Sequence, residues 1–92
     1  MKKIVDYLIQ LGFSETEAKI YWYLLETGPM TVAELAQVIK INRTAAYPYI
    51  NSLLAQGIIA EIIQHSRKQL VAIDPEQLHY ILERKLNTIK TL

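Results

Sequence analysis

Two short groups of residues near the middle of the chain carry side chains that suit contacts with phosphates or with the edges of nucleobases. Asn42, Arg43 and Thr44 are consecutive, and Arg67 and Lys68 are neighbours further on. Arginine can donate two hydrogen bonds to the O6 and N7 atoms of guanine, and both basic residue types neutralise phosphates. These residues therefore indicate recognition of nucleic acid. The alternative, that the basic residues of both groups are merely solvated on the surface, stays open.

Nothing in the sequence indicates catalysis or a bound metal. The chain has no cysteine, and its two histidines, His65 and His79, have no further ligands at metal-binding spacing. A serine–histidine–aspartate set, a glycine-rich phosphate loop and an isolated carboxylate pair are all missing. We therefore expect a protein that is not an enzyme, with no cofactor, no metal site and no evident small-molecule effector site.

The formal net charge of +1 conceals an uneven distribution of charged residues. Between residues 27 and 73 the bases outnumber the acids, with Lys40, Arg43, Arg67 and Lys68 against Glu34 and Glu61. This mild excess permits DNA binding but falls short of the basic stripe of a strong non-specific binder. The chain has neither the clean apolar stretch of a signal peptide nor a run of about eighteen apolar residues. We expect a cytoplasmic protein without membrane contact.

Helical periodicity and capping patterns predict a helix, a second helix, a short helix, a turn, a longer helix, a hairpin and a last helix. The predicted capping residues are Ser14, Thr31, Asn42 and Asp74. Two β-branched runs, IIAEIIQ and QLVAI, flank a polar tip at residues 65–68 and predict the hairpin. This order predicts a mainly α fold with a small β-hairpin: a winged helix-turn-helix plus an N-terminal helix and a long C-terminal helix. We expect one domain over 1–92, with an N-terminal helix (1–13), a winged-helix core (14–74) and a C-terminal dimerisation helix (75–92).

From Leu11 to Ile59 the chain follows the pattern L-G-L-[ST]-x-x-E-A-x-x-Y, L-L-x-x-G, R-[ST]-x-x-Y-x-x-[LIV]-x-x-L and G-[LI]-[IV]. The residues in register are Leu11, Gly12, Ser14, Glu17, Ala18, Tyr21, Leu24, Leu25, Gly28, Arg43, Thr44, Tyr47, Ile50, Leu53 and Gly57. In this pattern, and in RKQLVAIDPEQL after it, the chain resembles the N-terminal DNA-binding domain of the TrmB-like transcriptional regulators. The resemblance implies regulation of transcription, often in archaea, and often a C-terminal effector-binding domain, which these residues do not include.

The predicted DNA-binding residues lie mostly on the longer helix after the turn and on the hairpin. In a winged helix-turn-helix that longer helix enters the major groove, which is about 12 Å wide. Base recognition is predicted for Asn42, Arg43, Thr44, Ala45, Tyr47 and Asn51, and phosphate binding for Thr31, Arg67 and Lys68. Tyr47 could equally pack in the core. Pro48 departs from the family pattern, and either bends this helix or marks its true start.

Apolar residues exceed what one small core can bury, which predicts association. Residues 20–25 cover nearly the whole circumference of the second helix, and the final helix has an apolar stripe. The predicted dimer interface contains Trp22, Leu78, Ile81, Leu82, Leu86 and Ile89. A homodimeric, sequence-specific regulator on double-stranded DNA is the leading hypothesis, although a missing downstream domain would also explain the surplus. The alternative function is a winged-helix module that binds another protein through the face around Trp22.

Overall fold

The computed structural model describes the backbone of residues 2–91 and the side chains of residues 3–86. The elements, in chain order, are α1 (Lys2–Gln10), α2 (Glu15–Thr27), α3 (Val32–Ile39), α4 (Arg43–Ala55), β1 (Ile59–Gln64), β2 (Arg67–Ala72) and α5 (Pro75–Thr91). The predicted order of elements is confirmed.

Reciprocal capping boxes begin α2 and α3, as the sequence predicts. At α2 the Ser14 hydroxyl accepts from the Glu17 backbone N–H at 3.1 Å, and the Glu17 carboxylate accepts from the Ser14 N–H at 2.9 Å. Thr31 and Glu34 form the same pair of bonds at α3, at 3.2 and 2.9 Å. Each box satisfies backbone N–H groups that the first helical turn leaves without partners, which stabilises the helix by about 1 kcal/mol.

A tight turn at Lys40 sets the angle between α3 and α4. Lys40 has φ 60° and ψ 44°, a left-handed conformation that ends α3, and the Ile41 N–H donates back to the Ala36 carbonyl at 3.0 Å. Asn42 then begins α4, because its side-chain oxygen accepts from the Thr44 N–H at 2.8 Å.

Helix α4 is continuous from Arg43 to Ala55 with Pro48 inside it. The alternative that regular helix starts near Pro48 is therefore wrong. Pro48 has no N–H to donate to the Thr44 carbonyl one turn earlier, yet the flanking turns hold the helix. A bend at this point stays a prediction.

The wing is a two-stranded antiparallel hairpin that is attached to the loop before α3. Its register pairs Ile59 with Ala72 and Gln64 with Arg67. His65 and Ser66 have φ values of 54° and 61° and form the two-residue turn, with the twist that such hairpins require. Arg67 is therefore the first residue of β2. The sequence had predicted it as part of a four-residue tip, which is wrong.

Two backbone hydrogen bonds between Met30 and Leu70, at 3.1 and 2.7 Å, join the wing to the start of α3. Tyr21 provides a second anchor from inside the protein. Its ring is fully buried, and its hydroxyl donates to the Ile73 carbonyl at 2.7 Å, where β2 leads into α5. The wing is thus held in a defined position beside the helix-turn-helix.

The first half of α5 packs on the core of the same chain, which corrects part of the predicted dimer interface. Leu78 and Leu82 are each 3% exposed and belong to the buried apolar cluster. Burial of one leucine side chain contributes about 1.5–3 kcal/mol to stability. The single chain gains this free energy without a partner, so these two leucines have little left to contribute to a dimer. Ile81 and Trp22 are half-buried, Leu86 is 44% exposed, and the Ile89 side chain lies outside the described residues.

Candidate nucleic-acid interface

Helix α4 has a buried side and a regularly spaced exposed side. Ala46, Ile50 and Leu53 are buried, and the exposed side has its centre at Thr44, Pro48 and Asn51. Both sets have the i, i+4, i+7 spacing and are offset by two residues, which places them on opposite sides of a helix of about 3.6 residues per turn.

The predicted base-contacting residues all lie on the exposed part of α4 and its cap. For Tyr47 the sequence left both base contact and core packing open. The residue is 39% exposed, so its ring lies at the edge of the helix and not in the core. Thr44, Ala45 and Asn51 are exposed, as are Asn42 and Arg43 at the N-terminus. The structure thus brings all six onto one accessible surface.

The N-terminal turn of α4 combines two sources of positive charge. It contains Arg43 and no acidic residue, and the unpaired N–H groups of a helix start carry partial positive charge. A cation is slightly unfavourable there unless an anion is bound nearby. The cap bond uses the side-chain oxygen of Asn42. The side-chain NH₂ group keeps two hydrogens that can be donated to a further partner.

On the wing, the two predicted cations have different surroundings. Arg67 and Lys68 are both exposed. The pKa of the Glu34 carboxyl is lowered, mainly by hydrogen bonds with Thr31 and additionally by the positive charge of Arg67. Arg67 therefore lies within electrostatic range of a carboxylate at the start of α3.

Thr31, the third predicted phosphate contact, lies beside the same carboxylate. Its side chain is half-buried, and its hydroxyl oxygen is already an acceptor in the capping box. The hydroxyl hydrogen can still be donated to an external oxygen. The bridge from Met30 to Leu70 places Thr31 next to the wing.

A cavity of about 330 Å³ lies among the loop after α1, the end of α4 and the middle of α5. Its polar side chains have partners within the chain: Lys85 donates to Gln56, Gln56 donates to Ser52, and Glu17 belongs to the α2 capping box. Because these groups already have partners within the chain, we assign no ligand to this cavity. Within residues 2–91 no set of three His, Asp or Glu residues could hold a metal ion, and no helix of that range is long and apolar enough to span a membrane.

Two features of this surface are not among the predicted site features. The electrostatic influence of Arg67 on Glu34 leaves no local signal, since the two residues are far apart in the chain and the Met30–Leu70 bridge brings their segments together. The central position of Pro48 did have a signal, namely its spacing from Thr44 and Asn51 opposite the apolar positions.

A short helix, a tight turn and a second helix with an exposed N-terminal face, followed at once by a two-stranded wing, define the class. The protein is a winged helix-turn-helix protein. Residues 8–76 match the family described as "Sugar-specific transcriptional regulator TrmB". The chain belongs to this family of transcriptional regulators, which confirms the resemblance noted in the sequence.

Solved structures share the fold. TrmBL2, described as an archaeal chromatin protein with a novel mode of DNA binding, is 22% identical with a TM-score of 0.79, over 98% of this chain and 36% of TrmBL2. A protein of the thermoacidophilic archaeon Sulfolobus tokodaii is 15% identical with a TM-score of 0.70, over 88% of this chain and 84% of that one. MarR from E. coli, in its oxidized form, is 17% identical with a TM-score of 0.67, over 91% of this chain and 65% of MarR. The predicted fold class is confirmed, and the chain spans about a third of TrmBL2.

Proposed function

We propose that this regulator binds double-stranded DNA sequence-specifically, as a homodimer, with the exposed side of α4 in the major groove and the wing along the phosphates. The observation that carries the proposal is the accessible surface from Asn42 to Asn51, with a cation and no acid in its first turn. A B-DNA major groove admits one helix, whose N-terminal residues reach base edges.

Each predicted residue has a role that its position supports. Arg43 would donate to guanine or to a phosphate, and the wing cations and Thr31 would bind phosphates beside the groove. The remaining base contacts would come from Asn42, Thr44, Ala45, Tyr47 and Asn51.

The homodimer is supported by apolar side chains that the single chain leaves exposed. Among the α5 side chains up to residue 86 these are Tyr80, which is 66% exposed, and Leu86, which is 44% exposed. On α1, Tyr7 and Ile9 are also exposed. A twofold contact through these helices would present two copies of α4, which must lie about 34 Å apart to enter successive major grooves, so the operator should be an inverted repeat.

Arg43→Ala tests DNA binding by α4. Binding of a labelled operator duplex, selected from random sequences, is measured for the wild type and the variant from about 50 to about 200 mM salt. We expect Arg43→Ala to weaken operator binding by about 1–3 kcal/mol and to relax preference at one base pair. The control is Lys19→Ala, because Lys19 is exposed on α2 and already paired with Glu15 at 2.8 Å. Affinity that does not depend on salt in the wild type would contradict the proposal and favour a protein partner.

Leu86→Glu tests the homodimer. Sedimentation of the wild type at micromolar concentration should show a dimer, and Leu86→Glu should give a folded monomer with weaker operator binding, because the two half-sites no longer act together. Leu82, which the sequence predicted to lie in the interface, is unsuitable for this test because it lies in the core. Val38→Glu is the matched control, since Val38 is an exposed apolar residue on α3. A monomeric wild type with full affinity for one half-site would overturn the dimer.

A further inference from the structure

Pro48 lies at the centre of the exposed side of α4, although proline destabilises a helix and this one does not pack in the core. Pro48 lies inside α4 and is exposed. Proline is the least favourable residue in a helix interior, because it removes a backbone hydrogen bond and crowds the preceding carbonyl. A residue that lowers stability without packing in the core is expected where a surface serves a function.

The neighbours of Pro48 on this side are uncharged. Thr44 lies one turn before it and Asn51 one turn after it, and all three are exposed. Helix α4 lies wholly within the described residues, and Arg43 is the only charged residue in it. Along the line of Thr44, Pro48 and Asn51, α4 thus offers the methyl and hydroxyl groups of threonine, a proline ring and one side-chain amide.

We propose that α4 selects T·A-rich DNA, with Thr44 and Pro48 in contact with thymine methyl groups and Asn51 hydrogen-bonded to adenine. Among the four unmodified bases only thymine presents a methyl group in the major groove, and apolar side chains recognise it there. Asparagine can bond to both N6 and N7 of adenine. The inference rests on the proposed function, since it requires α4 to lie in the major groove.

The dimensions of the helix give the length of the recognised motif. At about 1.5 Å per residue, the three residues span about 10 Å along α4. Base pairs are about 3.4 Å apart, so this distance matches about three base-pair steps. The motif should therefore contain thymines at the Thr44 and Pro48 positions and an adenine at the Asn51 position, all within about four base pairs.

The test removes single methyl groups from the DNA. Duplexes that bind the chain are selected from a random-sequence library, and each thymine of the selected motif is replaced in turn by uracil, which lacks only the methyl group. We expect binding to weaken about fourfold at each contacted thymine, the factor for one methyl group lost from an apolar contact. Replacement of thymines outside the motif should leave the affinity unchanged.

Two variants link this effect to α4. In Pro48→Ser and Thr44→Ser, the ratio of thymine to uracil affinity should fall towards one at the corresponding base pair. The matched control is Ala55→Ser, because Ala55 lies one turn beyond Asn51 on the same exposed side, at the end of the helix. Each ratio compares two duplexes bound by the same protein, so any change in folding stability cancels.

The outcomes separate this inference from the proposed function. Salt-dependent binding with no effect of uracil at any position, or selection of motifs without thymine, would overturn the inference and leave DNA binding standing. The same thymine-to-uracil ratio in the wild type and in both serine variants would overturn the roles of Thr44 and Pro48. Absence of salt-dependent binding to every duplex would overturn the proposed function itself.

Discussion

The salt dependence of DNA binding tests whether Arg67 and Lys68 of the wing neutralise phosphates. The two cations should differ in this test, because Arg67 lies within electrostatic range of the Glu34 carboxylate. Each neutralised phosphate adds about 0.9 to the slope of log affinity against log salt concentration. We expect Lys68→Ala to lower this slope by about 0.9, which changes relative affinity about 3.5-fold between about 50 and about 200 mM salt. Arg67→Ala should lower it by less, since Glu34 already balances part of the Arg67 charge.

Glu34→Gln is the variant that tests the origin of this difference. Glutamine keeps a side-chain oxygen for the Thr31 N–H, so the cap of α3 survives, but the negative charge beside Arg67 is lost. The slope should increase, and Arg67→Ala in this background should then remove about 0.9. Fluorescence anisotropy of a labelled duplex across a salt series measures each slope, with Lys19→Ala as the control. An unchanged slope in Lys68→Ala would mean that Lys68 does not touch phosphate. If Arg67→Ala lowers the slope by the same amount in the wild type and in Glu34→Gln, the charge compensation is refuted.

Four further variants test the fold by unfolding measurements. Ser14→Ala should lower the free energy of unfolding by about 0.5–2 kcal/mol through loss of the cap, and an unchanged value would mean that the capping box contributes nothing. Burial, with the nearby Asp74 charge, raises the pKa of Tyr21 to about 12. The contribution of Tyr21 to stability should therefore be full below about pH 10, the ordinary pKa of tyrosine, and fall as the pH rises towards about 12. Tyr21→Phe should remove that dependence, and its persistence would point to another group. Pro48→Ala should stabilise the protein by up to about 3 kcal/mol, and a lower unfolding midpoint would contradict the cost that we assign to proline in α4. Leu82→Ala should destabilise the chain by about 2–5 kcal/mol at any protein concentration, whereas a loss seen only in the dimer would return this residue to the interface.

Much of the fold follows from local patterns, so the sequence predicts it well. The capping boxes at Ser14 and Thr31 depend on residues three positions apart, and backbone geometry alone brings such pairs into contact. The same holds for the hairpin, whose β-branched runs flank a short polar segment. The order of these elements indicates the winged helix-turn-helix, and hence the surface that α4 exposes.

Local patterns predict less where two segments distant in the chain meet. An apolar stripe shows which side of the final helix avoids water, but it does not show whether that side meets its own chain or a second one. Tertiary packing places Leu82 in the core and leaves Leu86, one turn further on, largely exposed. In the same way, the bridge between Met30 and Leu70 brings Arg67 towards Glu34. The sequence by itself therefore determined the elements, their caps and the family, because these depend on neighbours along the chain. Only the tertiary structure decided which apolar residues remain exposed and which wing cation lies within electrostatic range of Glu34, because both depend on contacts across the fold.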